Sequence, residues 1–311
     1  MSLLERFRAR AAPGTAQVPR PAVPDGAWPG AASATGHHSL LRNCSNPDCD
    51  SGWLHLWRGR EAPVFEKGWC CSPRCTAARI QEAIRREMDA RGASVELHRH
   101  RIPLGLTMLE QGWITPQALR AALDAQRSTG SGRIGEWLVR QRSATEAQVT
   151  RALGRQWGCP VLGLDLGVPE DLTSLLPRFF MDAFGALPFR VAAGKILYLG
   201  FEDRMDRALA LAVERMTGLR VEIGLIEGSA FRPAQERTLR ASFPRVELVE
   251  TSVEQSLAMA LAAAIEDAQP VEARLVRIHD CFWLRMWHSL QSGPVPTRGS
   301  IRDLIAVAAA H

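Results

Sequence analysis

The sequence predicts an α+β multidomain protein. Three observations predict it. Five of the seven cysteines cluster between positions 44 and 75, a 24-residue phrase is written twice between 103 and 156, and strand-like and helix-like patterns alternate after 158. A chain of 311 residues can bury a core in each of two or three domains. The expected boundaries are a flexible tail at 1–38, a metal-binding segment with a C-terminal helix at 39–97, and tandem helical motifs at 98–157. An α/β subdomain follows at 158–243, then a C-terminal helix and β-hairpin at 244–311.

The first 36 residues are rich in Pro, Ala and Gly and show no apolar period, so they read as a tail without a core. The opening MSLLERFRARAAPG has no long apolar stretch of the secretory kind. No apolar run reaches the roughly 18 residues of a membrane span. A cytoplasmic location and no membrane span are therefore expected.

The cysteines come next. Cys44-x4-Cys49 and Cys71-x3-Cys75 are two close pairs separated by 21 residues. In a reducing compartment such pairs bind zinc more often than they form disulfides. Between them, GWLHLWRGREAPVFEKGW reads as a hairpin around Arg58–Ala62, and TAARIQEAIRREMDARG as an amphipathic helix ending at Gly92. Cys44, Cys49, Cys71 and Cys75 are the expected ligands of a structural Zn2+. Cys70 would give a symmetric spacing and competes with Cys71, which is preferred. Four cysteines leave no open coordination position, so the ion would substitute for a core too small to fold alone. Knuckle, hairpin and a last ligand pair at a helix start resemble a treble-clef zinc finger, and CSPRC is similar to an FCS-type knuckle.

The duplicated phrase is PLGLTMLEQGWITPQALRAALDAQ at 103–126 and RIGEWLVRQRSATEAQVTRALGRQ at 133–156. Aligned without gaps, the copies share Gly105/Gly135, Gln111/Gln141, Thr115/Thr145, Ala122/Ala152, Leu123/Leu153 and Gln126/Gln156. Chance at average composition gives about two identities, so this is an internal duplication. Each copy reads as a short helix and a longer one. Thr115-Pro116 supplies an N-cap and N1 proline, and Thr145 with Gln148 a capping box. Leu119, Leu123 and Gln126 share one helical face, as do Val149, Leu153 and Gln156. A glutamine continuing an apolar stripe needs a hydrogen-bond partner, and two at one repeat position suggest a shared ligand. Gly105 and Gly135 would let the backbone approach a flat ring or a phosphate, or else would pack helix pairs. Residues 99–157 carry nine Arg against four Asp or Glu, the whole of the chain's formal +5. Such a field favours anionic partners.

Beyond 158, VLGLDL reads as a short buried strand and VAAGKILYLGFED as a strand after a Gly-Lys turn. MDRALALAVERMTG is a helix closed by Gly218, and LRVEIGLIEG another strand. Strand–helix–strand order argues a small α/β unit. After a joint near 241–250, SVEQSLAMALAAAIEDA is a helix. RLVRIHDCFWLRMW is two strands about a His279–Asp280 turn. Lone Cys159 and the His279, Asp280, Cys281 run read as packing and turn residues, since adjacent strand residues face opposite ways.

From about Ile102 to about Leu239 the chain resembles the MshE-type N-terminal domain of type II secretion and type IV pilus assembly ATPases. The phrase looks like that domain's cyclic di-GMP-binding motif, R-L-G-x-x-L-V-x-x-G-x-I followed by L-x-x-x-L-x-x-Q, which occurs in tandem. The resemblance implies Leu104, Gly105, Met108, Leu109, Gly112, Ile114, Leu119, Leu123 and Gln126 as ligand residues of the first copy. It implies Arg133, Ile134, Gly135, Leu138, Val139, Leu153 and Gln156 for the second. Pro103 stands where the first motif arginine belongs, leaving Arg101 to reach in. Arg142 stands where the second motif has glycine.

The resemblance implies a non-catalytic cyclic di-GMP receptor or adaptor acting on a protein of a secretion, pilus or motility system. No G-x-x-x-x-G-K-[ST] phosphate loop occurs, so no ATPase or other enzyme is expected. An interaction module that has lost the ligand and docks on a secretion or pilus apparatus is the alternative. A zinc-finger nucleic-acid binder is the reading least supported, because the positive field does not centre on the cysteines.

Overall fold

The computed structural model describes residues 44–50, 63–89, 102–164, 167–251 and 253–308. In chain order these form β1 (Val64–Phe65), β2 (Gly68–Trp69), α1 (Pro73–Asp89), α2 (Leu104–Glu110), α3 (Pro116–Thr129), α4 (Ile134–Arg140) and α5 (Glu146–Trp157). Then follow α6 (Arg178–Phe184), β3 (Ala186–Ala192), β4 (Ile196–Phe201), α7 (Arg207–Thr217), β5 (Arg220–Leu225) and α8 (Gly228–Arg240). The chain ends with β6 (Arg245–Thr251), α9 (Glu254–Ala268), β7 (Glu272–Ile278), β8 (Cys281–Trp287) and β9 (Ile301–Ala308). The fold is α+β, with three small sheets among the described residues. The elements fall into two compact units, one holding 102–214 and Gly218–Ser242, the other holding 44–89, Arg215–Thr217 and 243–308.

In the first unit, α2–α5 form the twin hairpins that the duplication predicts. Thr115 caps α3 by accepting from the Ala118 N–H at 3.2 Å, with Pro116 at N1. Thr145 and Gln148 form the capping box of α5, with bonds of 3.2 and 2.8 Å. Gly130 and Gly158 close the two long helices in the left-handed conformation, where a missing Cβ removes the steric cost. The core between the hairpins is itself duplicated: Met108 and Leu138, and Ala122 and Ala152, are all fully buried.

Arg142 takes the left-handed turn itself, at φ 54°, where the first copy has Gly112 at φ 66°. The turn is thus preserved at the cost of strain. Its side chain is exposed, so Arg142→Gly should raise stability by about 1 kcal/mol, read as a higher denaturant midpoint. No change or a loss would show that the turn carries no strain.

Beside the hairpins lies a three-stranded sheet in the order β3-β4-β5, antiparallel then parallel. α7, capped by Asp206 and closed by Gly218, connects the parallel pair. The stretch VLGLDL does not form the predicted strand. Only Val161 bridges Leu225, residues 162–164 are irregular, and 165–166 lie outside the described residues. The apolar run is used for packing, with Leu162 and Leu164 against Phe231 and Ile226. β3 escaped prediction because it contains Pro188, which sits where the register with β4 shifts.

The second unit is a four-stranded sheet in the order β6-β9-β8-β7. The predicted hairpin about His279–Asp280 is β7–β8, but the joint at 241–250 becomes β6, which pairs in parallel with an unpredicted β9. α1 and α9 cover one sheet face: Ile80 and Ile84 meet Leu261, Ile265, Leu284 and Leu304 in one buried cluster. Each such side chain contributes about 1.5–3 kcal/mol. β1 joins the β7 side of the sheet, where the Val64 and Glu66 N–H groups donate to the Pro270 and Ala273 carbonyls at 2.9 and 2.8 Å. β1 and β2 form a hairpin that turns at Glu66 and Lys67, both with positive φ; the hairpin expected around Arg58–Ala62 lies outside the described residues. A Glu-Lys turn lacks the Asn-Gly signature of such loops, which is why it was not legible.

No helix among the described residues is long and apolar enough to cross a membrane.

Candidate functional site

Two sites are built by these elements. The first is the cysteine cluster. The Sγ atoms of Cys44, Cys49, Cys71 and Cys75 all lie within 4.8 Å of one another. Cys71 is 3.5 Å from Cys49 and 3.6 Å from Cys75. Four thiolates about 2.3 Å from one tetrahedral ion stand about 3.8 Å apart, so the donor set and spacing fit a metal ion. Burial pushes the Cys44 thiol up to about 12 and raises Cys71 too. The Asn46 side-chain N–H points at Cys75 Sγ from 3.4 Å, a donor that supports a thiolate. Cys70 stays outside the group, buried against Ser45 Oγ at 3.4 Å.

The second is the twin-hairpin unit. The Gln126 side-chain N–H donates to the Gly132 carbonyl at 2.8 Å, and that of Gln156 to the Ile102 carbonyl at 2.8 Å. Positions 132 and 102 are equivalent, each two residues ahead of a short helix. The long helix of each copy thus reaches across to the short helix of the other, a pseudo-two-fold exchange. The glutamines find their partners in backbone carbonyls.

The motif glycines serve packing. A Cβ on Gly105 would lie 2.6 Å from Leu119 Cδ1, and one on Gly135 2.7 Å from Val149 Cγ1. The notch expected to meet a ring is filled by the copy's own long helix. Of the expected ligand residues, Met108 and Leu138 are inside the core, while Val139 is exposed. Leu104, Leu109, Leu123, Ile134 and Leu153 are half-buried, and Gly112 is exposed at its turn. Arg101 lies outside the described residues. Pro103 is the N-cap of α2 and offers no side-chain hydrogen bond.

Arg133, the N-cap of α4, forms an ion pair with Asp203 from the loop after β4. Beside α4 is a hollow of about 350 Å³ lined by Gly135, Val139, Val149, Arg140, Glu146 and Arg232 among others. Asp203, Glu146 and Arg232 were not singled out by sequence. They come from outside the short-helix motif; Asp203 follows β4 and Arg232 lies on α8, so only the tertiary fold brings these two near it.

No protein-family model matches the chain. It is 28% identical over 145 residues to the type IV pilus assembly ATPase PilB of Myxococcus xanthus, covering 46% of this chain and 25% of that protein. It is 30% identical over 131 residues to PilB of Thermus thermophilus, covering 41% of this chain and 14% of the relative. The chain thus spans a quarter or less of the length of these relatives. Among solved structures, MshE with cdg matches 44% of this chain and 99% of its own at 25% identity and a TM-score of 0.37. The N-terminal domain of XpsE matches 43% of this chain and 92% of its own at 23% identity and a TM-score of 0.32. Over a little under half its length, this chain is similar to type IV pilus assembly ATPases.

Proposed function

We propose that the twin-hairpin unit is a receptor for cyclic di-GMP. The chain is then a non-catalytic adaptor that passes the ligand state to a partner in a secretion, pilus or motility system, working in the cytoplasm. The observation that carries this reading is the reciprocal pair of amide bonds, Gln126 to Gly132 and Gln156 to Ile102. It arranges two like helix starts about one pseudo-two-fold axis, as a two-fold dinucleotide requires. Arg133 is the cation for guanine and phosphate. The four cysteines hold a structural Zn2+ that supports the segment before it.

Calorimetric titration with cyclic di-GMP should show saturable binding, about tenfold to a hundredfold weaker in Arg133→Ala, the effect of one charge-assisted contact. A folded wild-type chain giving no heat with the dinucleotide would end the receptor reading. It would leave the alternative, a protein-docking module without ligand, which Pro103 at a motif-arginine position and the Arg133–Asp203 ion pair favour.

A further inference from the structure

We infer that the far side of α5 is a docking shelf for an acidic segment of a partner protein, one carrying an apolar side chain beside its carboxylates. The shelf is separate from the proposed nucleotide surface and stands whichever reading of that surface holds. It is a hollow of about 620 Å³ lined by Trp113, Arg151, Arg155, Cys159, Pro160 and Val161 among others, and no lining residue is acidic.

At about 100° per residue, Arg151 and Arg155 lie about 200° and 240° around α5 from Val149. They face away from the stripe of Val149, Leu153 and Gln156. Both are exposed, and neither has a carboxylate partner among the described residues. The Arg155 guanidinium sits over the Trp113 ring, 5.6 Å from its centroid. A cation in the last turn, such as Arg155, is favoured by the helix dipole. Arg151 stands a turn earlier, where that benefit has faded and a like charge at i+4 repels it.

The duplication supplies a control. Thirty residues back, the first copy has Ala121 and Ala125 in place of the two arginines, and Ser143 of the second copy stands where the first has Trp113. Twin hairpins therefore fold without this cation pair and ring, which occur together at one place only. The floor is rigid. A Cβ on Gly154 would lie 3.0 Å from the Cys159 carbonyl oxygen and 3.3 Å from Val161 Cγ2, so the chain crosses closely over α5. The Cys159 N–H donates to the Gly154 carbonyl at 2.9 Å, and the Pro160 carbonyl accepts from the Leu225 N–H of β5 at 3.0 Å. A site fixed in this way loses little entropy on docking.

The occupant follows from charge and shape. The whole formal +5 of the chain falls within 99–157, which favours an anion. Arg151, Arg155, Pro160 and Val161 are all exposed, so a small molecule would keep much of its surface in water, whereas small-molecule clefts bury most of their ligand. A nucleic-acid strand needs a row of cations and stacking rings, and the shelf has two cations and one ring. An indole flanked by guanidiniums, with Val161 38% exposed beside it, is the composition of a protein-binding anchor.

The test is fluorescence anisotropy on the full chain with two labelled peptides, hexaglutamate and one with two leucines among four glutamates. The leucine-bearing peptide should bind about tenfold tighter, the effect of burying part of an apolar side chain. Arg151→Ala with Arg155→Ala should weaken it by about tenfold or more. Arg120→Ala with Arg127→Ala, an equal loss of formal charge on α3, should weaken it by less than about twofold. Circular dichroism should show both double variants folded. Saturating cyclic di-GMP should not displace the peptide; displacement would put the peptide on the nucleotide surface and overturn the shelf. Equal losses in the two double variants would reduce the effect to net charge, and no binding of either peptide would likewise end the proposal. So would an oligothymidylate that binds tighter than the peptides and loses affinity with Arg151 and Arg155, since the surface would then belong to nucleic acid. A chain that takes the peptide but gives no heat with cyclic di-GMP would keep the shelf and lose the receptor reading.

Discussion

Exchanging Cys75 for serine should abolish zinc uptake by the proposed four-cysteine site and open the segment around it. The expected loss is the largest available in this chain, because binding of a structural zinc ion is worth about 10–16 kcal/mol in small zinc-folded peptides. Apart from Phe65 in the core and the Val64 and Glu66 bonds to the β7 side, the segment is short. β1 and β2 are two residues each, and Trp69 packs mainly on the cysteines themselves. α1 belongs to the larger cluster with α9 and should survive. Native mass spectrometry of protein produced with zinc should find one ion in the wild type, none in Cys75→Ser and one in Cys70→Ser, since Cys70 lies outside the group. Full zinc occupancy in Cys75→Ser would refute the assignment. The thiols of Cys44, at about 12, and Cys71 are raised by burial, so they are protonated at neutral pH without metal. Metal uptake must expel those protons. Affinity should therefore rise from pH 6 to pH 8, and a flat profile would mean the thiols are not the ligands.

Asp303→Ala should be the most damaging substitution in the C-terminal sheet. Both oxygens of this carboxylate are engaged: Oδ1 accepts from Trp283 Nε1 and Arg285 Nε at 2.8 Å each, and Oδ2 from an Arg285 terminal nitrogen at 2.8 Å. Asp303 and Arg285 are 0% and 1% exposed. Removing one partner leaves a buried guanidinium without its counter-charge, a loss of about 3–5 kcal/mol. The double variant Arg285→Met, Asp303→Leu removes both charges and should cost clearly less, since apolar replacements of a buried pair are often neutral. Urea unfolding of the three proteins decides it. A single variant within about 1 kcal/mol of wild type would show that the pair contributes no more than a surface ion pair.

How much of this was readable beforehand depends on how local each signal is. Thr115-Pro116, Thr145 with Gln148, and Gly218 act within one helical turn of themselves, and all three appear as helix ends in the structure. The cysteine spacing is similarly short-range, and the four expected thiols are the four brought together. The buried Arg285 and Asp303 sit eighteen residues apart on neighbouring strands and read in sequence as ordinary charges. β6 reads in sequence as a joint because RVELVET becomes a strand only when β9, more than fifty residues on, lies beside it.

The twin hairpins show the division most clearly. By itself the chain determined that there are two of them, how their helices begin and end, and which residues occupy equivalent places, because duplication and capping are properties of neighbours. Tertiary structure alone decided that Gly105 and Gly135 are closed by Leu119 and Val149, that each glutamine serves the opposite copy, and that Arg133 is paired with Asp203. Those outcomes depend on which surfaces meet, and the free energy of burying a side chain is a property of the pair in contact, not of either residue read alone.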